Sequence, residues 1–323
     1  MIDVISSVSE TSAALTDTAD RVREYAEHSR ADNTRRAYAA DWRDFTAWCT
    51  TNVLHSLPAA PATVALYIAD LAERCKVATI ERRLAALSQA HQLAGYPSPT
   101  KDEYVRTVLK GIRRVAAERG IRQRQAAPAV TQVIRAMVAT LDSDPCGIRD
   151  RALLVLGFAG AFRRSEIVSL DVADLAFTQD GLVVKLRRSK TDQEGRCETK
   201  GIPYGSNPAT CPVRAVRAWL DTTELTHGAL FRPIDRWGNI SPARLSDRAV
   251  TLVIKRAAER AGLDPIAFSG HSLRAGLATA AAAAGAAYHS IKKQTGHKSD
   301  RVLQGYIREG SLFRDNAAAQ VGL

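Results

Sequence analysis

The sequence is poor in the features that tie a chain to a membrane, a metal ion or an oxidising compartment. Only five cysteines occur, Cys49, Cys75, Cys146, Cys197 and Cys211. They are odd in number, scattered and never spaced as a metal-binding pair, which argues against a disulfide framework and against a zinc site. No apolar stretch approaches the ~18 uninterrupted residues of a membrane span, and the first residues lack the charged-then-apolar pattern of a secretion signal. The expectation is a cytoplasmic protein with no membrane partner. Acidic residues are also in deficit, with 34 Asp and Glu against 45 Lys and Arg and a formal charge of +11. That surplus favours a polyanionic partner, nucleic acid first, although ordinary basic enzymes share such a balance.

At 323 residues the chain exceeds what one core usually organises, so two domains are expected. Residues 1–30 are rich in Ser, Thr, Asp and Ala with little apolar periodicity and suit a flexible tail. From Asp32 the pattern sharpens. Tyr38, Trp42, Phe45 and Cys49 recur at helical spacing, with Asp32 or Asn33 placed as an N-cap. Pro61 opens a second helix bearing Val64, Ile68 and Leu71, and a third runs from Thr79 to a stop at Gly95. A fourth carries Val105, Val108, Leu109 and Ile112. Residues 31–119 therefore read as an all-helical module. Residues 120–130, polar and basic, read as a linker. Residues 131–323 form the second domain, in which Leu182, Val184 and Leu186 alternate as a half-buried strand over Gly181 to Arg187, with a turn at Thr191 to Gly195. The remainder reads helical, and the alanine run from Ala278 to Ala287 fits tight helix packing. The fold class is mainly α with a small β-hairpin or sheet.

His271 and Arg274 sit three apart in Ser269-Gly270-His271-Ser272-Leu273-Arg274, at what reads as a helix start. One turn of helix places both on one face, beside backbone N–H groups that favour an anion. Arg can grip two phosphate oxygens while His exchanges a proton. A capping cluster on a surface helix would look the same, so the pair alone assigns nothing.

Order along the chain adds specificity. Gly160-Ala161-Phe162-Arg163-Arg164-Ser165-Glu166-Ile167 precedes the pair, Arg188-Ser189-Lys190-Thr191 ends the strand, and Thr295-Gly296-His297-Lys298 is followed by Gly305-Tyr306-Ile307-Arg308. Together these resemble the tyrosine recombinase (phage integrase) family, in its Cre-like branch, over roughly residues 31–320. The resemblance implies a two-domain clamp, a helical core-binding domain followed by a catalytic domain. It also implies roles. Tyr306 attacks a DNA phosphodiester, giving a 3′-phosphotyrosine and a free 5′-hydroxyl. Arg163 and Arg274 hold the non-bridging oxygens, His271 accepts the tyrosine proton, Lys190 protonates the leaving oxygen, His297 hydrogen-bonds the phosphate and Glu166 orients the cations. Transfer of a phosphodiester to a hydroxyl needs such a nucleophile, cationic clamp and proton donor. It conserves the bond, so neither cofactor nor metal is called for. Where Cre-like members carry Trp, this chain has His297, the residue found in most of the wider family.

The partner so implied is double-stranded DNA with short inverted-repeat sites, engaged by a homotetramer on paired sites that is monomeric when free and works through a Holliday junction. Arg35, Arg36, Arg82 and Arg83 on the first and third helices are candidate DNA contacts. By the resemblance, Arg232, Arg236 and Arg248 join them. Leu312, Phe313 and Val321 are candidate anchors of a terminal helix exchanged between protomers. Two other functions remain open: a topoisomerase with the same phosphotyrosine chemistry, and a catalytically silent DNA-binding or architectural protein.

Overall fold

The computed structural model describes residues 32–120, 126–187, 198–297 and 299–310, together with Thr18, Arg21 and Tyr25. Apart from Thr18, Arg21 and Tyr25, which are helical, the expected tail lies outside the described residues, as do the turn carrying Lys190 and the segment carrying Leu312, Phe313 and Val321. The chain divides into two compact units, residues 1–124 and 125–323.

Among the described residues from Asp32 onward, the first unit contains four α-helices, α1 (Asp32–Thr51), α2 (Pro61–Arg74), α3 (Val77–Leu93) and α4 (Glu103–Glu118). Pro61 occupies the first turn of α2, where its missing N–H costs nothing, and α3 stops just before Gly95 at φ 79°. Phe45, Tyr67, Ile68, Leu71, Ile80 and Leu87 are fully buried and form the core. His91 is buried among them. Its Nδ1 meets the Leu87 carbonyl at 2.8 Å and its Nε2 accepts from the Ala59 N–H at 2.9 Å, which fixes a neutral ring protonated on Nδ1.

The second unit begins with residues expected in the linker. Ala127 N–H donates to the Ala267 carbonyl and Ala129 N–H to the Ser272 carbonyl, at 2.8 and 2.9 Å, and Ala129 is fully buried. Helices α5 (Thr131–Ala139), α6 (Pro145–Ala159) and α7 (Arg164–Ser169) follow, then a small sheet. Its strands β1 (Leu175–Phe177), β2 (Gly181–Leu186) and β3 (Glu198–Pro203) pair antiparallel in the order β1-β2-β3. The alternation read in β2 holds, with Leu182, Val184 and Leu186 buried. Val184 lies opposite Lys200 and Leu182 opposite Ile202, so Lys200 and Ile202 share the inner face of β3. Among the described residues five α-helices follow the sheet: α8 (Pro212–Thr223), α9 (Asp247–Arg260), α10 (Ser272–Ala283), α11 (Tyr288–Thr295) and α12 (Asp300–Gly310).

The alanine run packs as expected. Ala275, Ala278 and Ala282 on α10 are buried with Ile291, Leu303 and Tyr306. Small side chains let α12 approach α10 closely, to the point that a Cβ on Gly310 would lie 2.3 Å from the Thr279 carbonyl oxygen. Among the described residues no helix is long and apolar enough to cross a membrane.

Candidate active site

Arg163 is placed by a sharp corner. The chain leaves α6 at Gly160, passes through Ala161 in the left-handed region at φ 48°, and turns into α7 with Arg163 as its N-cap. The Phe162 ring folds back so closely that a Cβ on Gly160 would sit 2.1 Å from a ring carbon, which only glycine avoids. The Arg163 N–H donates to Glu166 Oε2 at 2.8 Å, and its guanidinium pairs with Oε1 of the same carboxylate. Glu166 is only 3% exposed, so this carboxylate both ends the backbone of α7 and aims the Arg163 fork. Arg164 points away, pairing with Asp247 at 3.3 Å.

Arg274, one turn into α10, is 2% exposed. Its Nη1 donates to the Ala161 carbonyl at 2.9 Å, while the buried Nη2 has no hydrogen-bond partner among the described residues. Burial and then the nearby Arg163 charge lower its pKa to about 10, and Glu166, Glu198 and Tyr306 act in the opposite sense. A guanidinium remains protonated at neutral pH, so the corner holds two cations side by side. His271, the N-cap of α10, is exposed while Arg274 is buried. The two differ in exposure because Arg274 lies one turn deeper in α10, whose N-terminus emerges into solvent, and the charges of both act on His297.

α11 ends at Gly296, in the left-handed conformation at φ 61°, which turns the chain so that His297 faces α12. The His297 and Tyr306 ring centroids are 5.9 Å apart. Thr295 Oγ1 donates to the Ile291 carbonyl at 2.7 Å, so it accepts from His297 Nδ1, 2.8 Å away. The neutral imidazole therefore carries its proton on Nδ1 and leaves Nε2 as an acceptor. Burial, then the charges of Arg274, Arg163, His271 and Lys200, push its pKa down to about 4. Tyr306 is buried, 7% exposed.

Arg163, Glu166, Arg274, His297 and Tyr306 are thus brought together, with His271 near enough to act on His297. Lys190 lies outside the described residues, between β2 and β3. One charged residue beside this group was missed by sequence reasoning. Lys200 on β3 is buried, donates to the Gly160 and Gln294 carbonyls at 3.0 and 2.7 Å, and lies 3.9 Å from Glu198. Its signal was a lysine two residues before Ile202, at the inward register position of a strand. Among the described residues no cluster of three or more His, Cys, Asp or Glu could hold a metal.

The arginines proposed to meet DNA differ in exposure and in their partners. Arg36, Arg82, Arg236 and Arg248 are exposed, although Arg36 bonds Asn33 at 2.6 Å, Arg82 pairs with Asp41 at 2.9 Å and Arg236 stacks 4.1 Å from the exposed Trp237 ring. Arg35 is half-buried. Arg83 and Arg232 are engaged internally. Arg83 pairs with Asp44 and donates to the Tyr67 hydroxyl at 2.5 Å, and Arg232 donates to the His227 and Ala229 carbonyls at 2.8 and 3.1 Å.

Residues 130–311 match the phage integrase family. The chain is 43% identical over 295 residues to an integrase/recombinase xerD homolog of Selenomonas ruminantium, covering 90% of this chain and 86% of that protein. To the recombinase cre of Escherichia phage P1 it is 28% identical, over 82% of this chain and 81% of the other. Among solved structures, the Tn1549 transposon integrase in complex with transposon right end DNA gives a TM-score of 0.62 at 14% identity, covering 94% of this chain and 96% of that one. A lambda integrase tetramer bound to a Holliday junction gives 0.59 at 17% identity, covering 94% and 79%. The fold is that of the tyrosine recombinases, mainly helical with a small sheet. The chain belongs to the phage integrase family and is by class a site-specific DNA recombinase. The family resemblance read from the sequence is borne out, and Cre is among the relatives, although the chain is more similar to the xerD homolog than to Cre.

Proposed function

We propose that this chain cuts and rejoins double-stranded DNA at paired short sites, through a 3′-phosphotyrosyl intermediate on Tyr306 and a Holliday junction. The observation that carries the reading is the pair of half-buried Arg163 and buried Arg274, held by Glu166 and the Ala161 carbonyl, with Tyr306 among the groups acting on Arg274. Two preorganised cations beside a phenol match the charge that gathers on a phosphate under attack.

In this mechanism Tyr306 Oη attacks phosphorus while the 5′ oxygen departs. Arg163 and Arg274 Nη2 bind the non-bridging oxygens. His271, exposed at the N-terminus of α10, takes the phenolic proton, and Lys190 returns a proton to the leaving oxygen. His297 acts as a phosphate donor once its Nε2 is protonated, a change the phosphate's negative charge favours. The 5′-hydroxyl of a second strand then attacks the phosphotyrosine, reversing the chemistry onto a new partner without external energy.

Each unit contributes to holding the duplex, with Arg35, Arg36, Arg82, Arg236 and Arg248 on the phosphates or in the grooves. Arg83 and Arg232 serve chiefly to brace their own units. The segment after Gly310, with Leu312, Phe313 and Val321, docks on a neighbouring protomer and links four copies on two sites. That lambda integrase forms a tetramer on a Holliday junction supports this for a protein of the same fold.

The test is a supercoiled plasmid carrying two copies of a short inverted repeat, to be sought by sequencing the DNA that flanks the coding region. Exchange between the copies is the expected result. Relaxation of supercoils with no exchange would favour the topoisomerase reading, and neither activity would favour a silent DNA-binding protein.

A further inference from the structure

Lys200 occupies a position that the sheet would ordinarily fill with an apolar side chain. Ile202, its neighbour on the inner face of β3, shows what the register asks for. Burying an ammonium is costly unless it is fully hydrogen-bonded, and an aliphatic residue of similar volume would avoid that cost. The two acceptors explain the choice. Gly160 is the C-cap of α6, and Gln294 lies in the last turn of α11. Both carbonyls belong to helix C-termini, where partial negative charge accumulates and no intrahelical donor exists. The Lys200 ammonium sits between these two ends. The Gln294 side chain reinforces the same seam, donating from Nε2 to the Ala159 carbonyl at 2.8 Å.

Each helix end leads directly into a functional residue. Three residues after Gly160 comes Arg163, and three after Gln294 comes His297. The Phe162 ring also lies under the ammonium, 5.3 Å from Nζ to centroid. We propose that Lys200 is a positioning residue: its ammonium clasps the ends of α6 and α11 and so fixes the Arg163 corner relative to the His297 turn. The inference rests on the reading of these residues as the phosphate site.

The groups facing Lys200 set its response to pH. Glu198 on β3 and Glu166 on α7 favour its charge, while Arg163 and Arg274 oppose it, and Gly160, Gln294 and Phe162 are uncharged. Burial is the largest influence, and the pKa falls to about 8. Above that pH the clasp loses its charge-assisted hydrogen bonds.

The experiment compares wild type, Lys200→Met and Lys200→Arg in single-turnover cleavage of a site-bearing duplex, from pH 6 to pH 10. A second duplex replaces the bridging 5′ oxygen by sulfur, which leaves without needing a proton. Lys200→Met is expected to bind DNA within about threefold of wild type, to cleave at least ~30-fold more slowly, and to gain nothing from sulfur. Lys200→Arg should recover most of the rate and displace the alkaline fall near pH 8 upward. Cleavage by Lys200→Met within threefold of wild type overturns the inference. So does rescue by sulfur, because Lys200 would then be the proton donor itself. If Lys200→Met does not fold, the alkaline limb of Lys200→Arg decides: an unmoved limb overturns the proposal. If wild type forms no covalent adduct, the phosphate-site reading fails separately. Backbone hydrogen exchange at Phe162, Arg163 and Gly296 then still tests the clasp, with acceleration of tenfold or more expected in Lys200→Met and no change contradicting it.

Discussion

The Arg274 guanidinium donates through Nη1 to the carbonyl of Ala161, a non-glycine residue in the left-handed region. That conformation costs on the order of 1–2 kcal/mol and persists only where its surroundings hold it. One nitrogen of Arg274 thus locks the corner that presents Arg163, and the other is left to meet a ligand. The relationship explains why a planar fork, and not merely a positive charge, is needed.

Arg274→Lys is accordingly expected to lose at least about 3 kcal/mol of transition-state stabilisation, a hundredfold or more in cleavage rate. DNA affinity should change little, since one phosphate contact among many is altered. Single-turnover cleavage beside a binding titration measures both. A variant that cleaves within threefold of wild type shows that the fork is dispensable.

The His297 ring, held near pKa 4 against an ordinary 6.5, makes a directional prediction. Its folded-state pKa is depressed, so the stability associated with keeping it neutral is fully present above pH 6.5 and is lost as pH falls toward 4. In the DNA-free protein, His297→Asn should flatten the decline in melting temperature across that window. An equal decline in both proteins contradicts the assignment. Bound DNA should raise the His297 titration, which imidazole NMR reads directly, because a phosphate offsets the surrounding cations.

Ending the chain after Gly310 keeps α12 whole, including the close approach of Gly310 to Thr279. The truncated protein should bind a single site as wild type does and fail to pair two sites, as seen by sedimentation of protein on paired duplexes. Tetramers of undiminished stability would rule out the protomer exchange.

Much of this arrangement was legible in the chain because the signals are local. The spacing of Trp42, Phe45 and Cys49 marked the buried side of α1, Pro61 and Gly95 marked helix ends, and Leu182, Val184 and Leu186 marked the inner face of β2. Arg163 with Glu166, His297 and Tyr306 stood out through their order and neighbours. What escaped depends on contacts distant in sequence. β3, with its Lys200 and Gly201, has weak strand character and takes its form from pairing with β2. The value of Lys200 comes from two helix ends 40 and 94 positions away. The split between exposed His271 and buried Arg274 follows from how α10 is packed, which spacing on a helix does not reveal. The commitment of Arg83 to Asp44 and Tyr67 is likewise a product of packing between α1, α2 and α3.

The central claim is that Tyr306 becomes joined to DNA beside Arg163 and Arg274. Its most direct test is to incubate the protein with a site-bearing duplex nicked so that the released strand diffuses away, then to denature and digest the mixture. Mass spectrometry should find the strand's 3′-phosphate on the peptide containing Tyr306 in wild type and no adduct in Tyr306→Phe. A 5′ linkage, an adduct on another residue, or an adduct that survives in Tyr306→Phe would contradict the account.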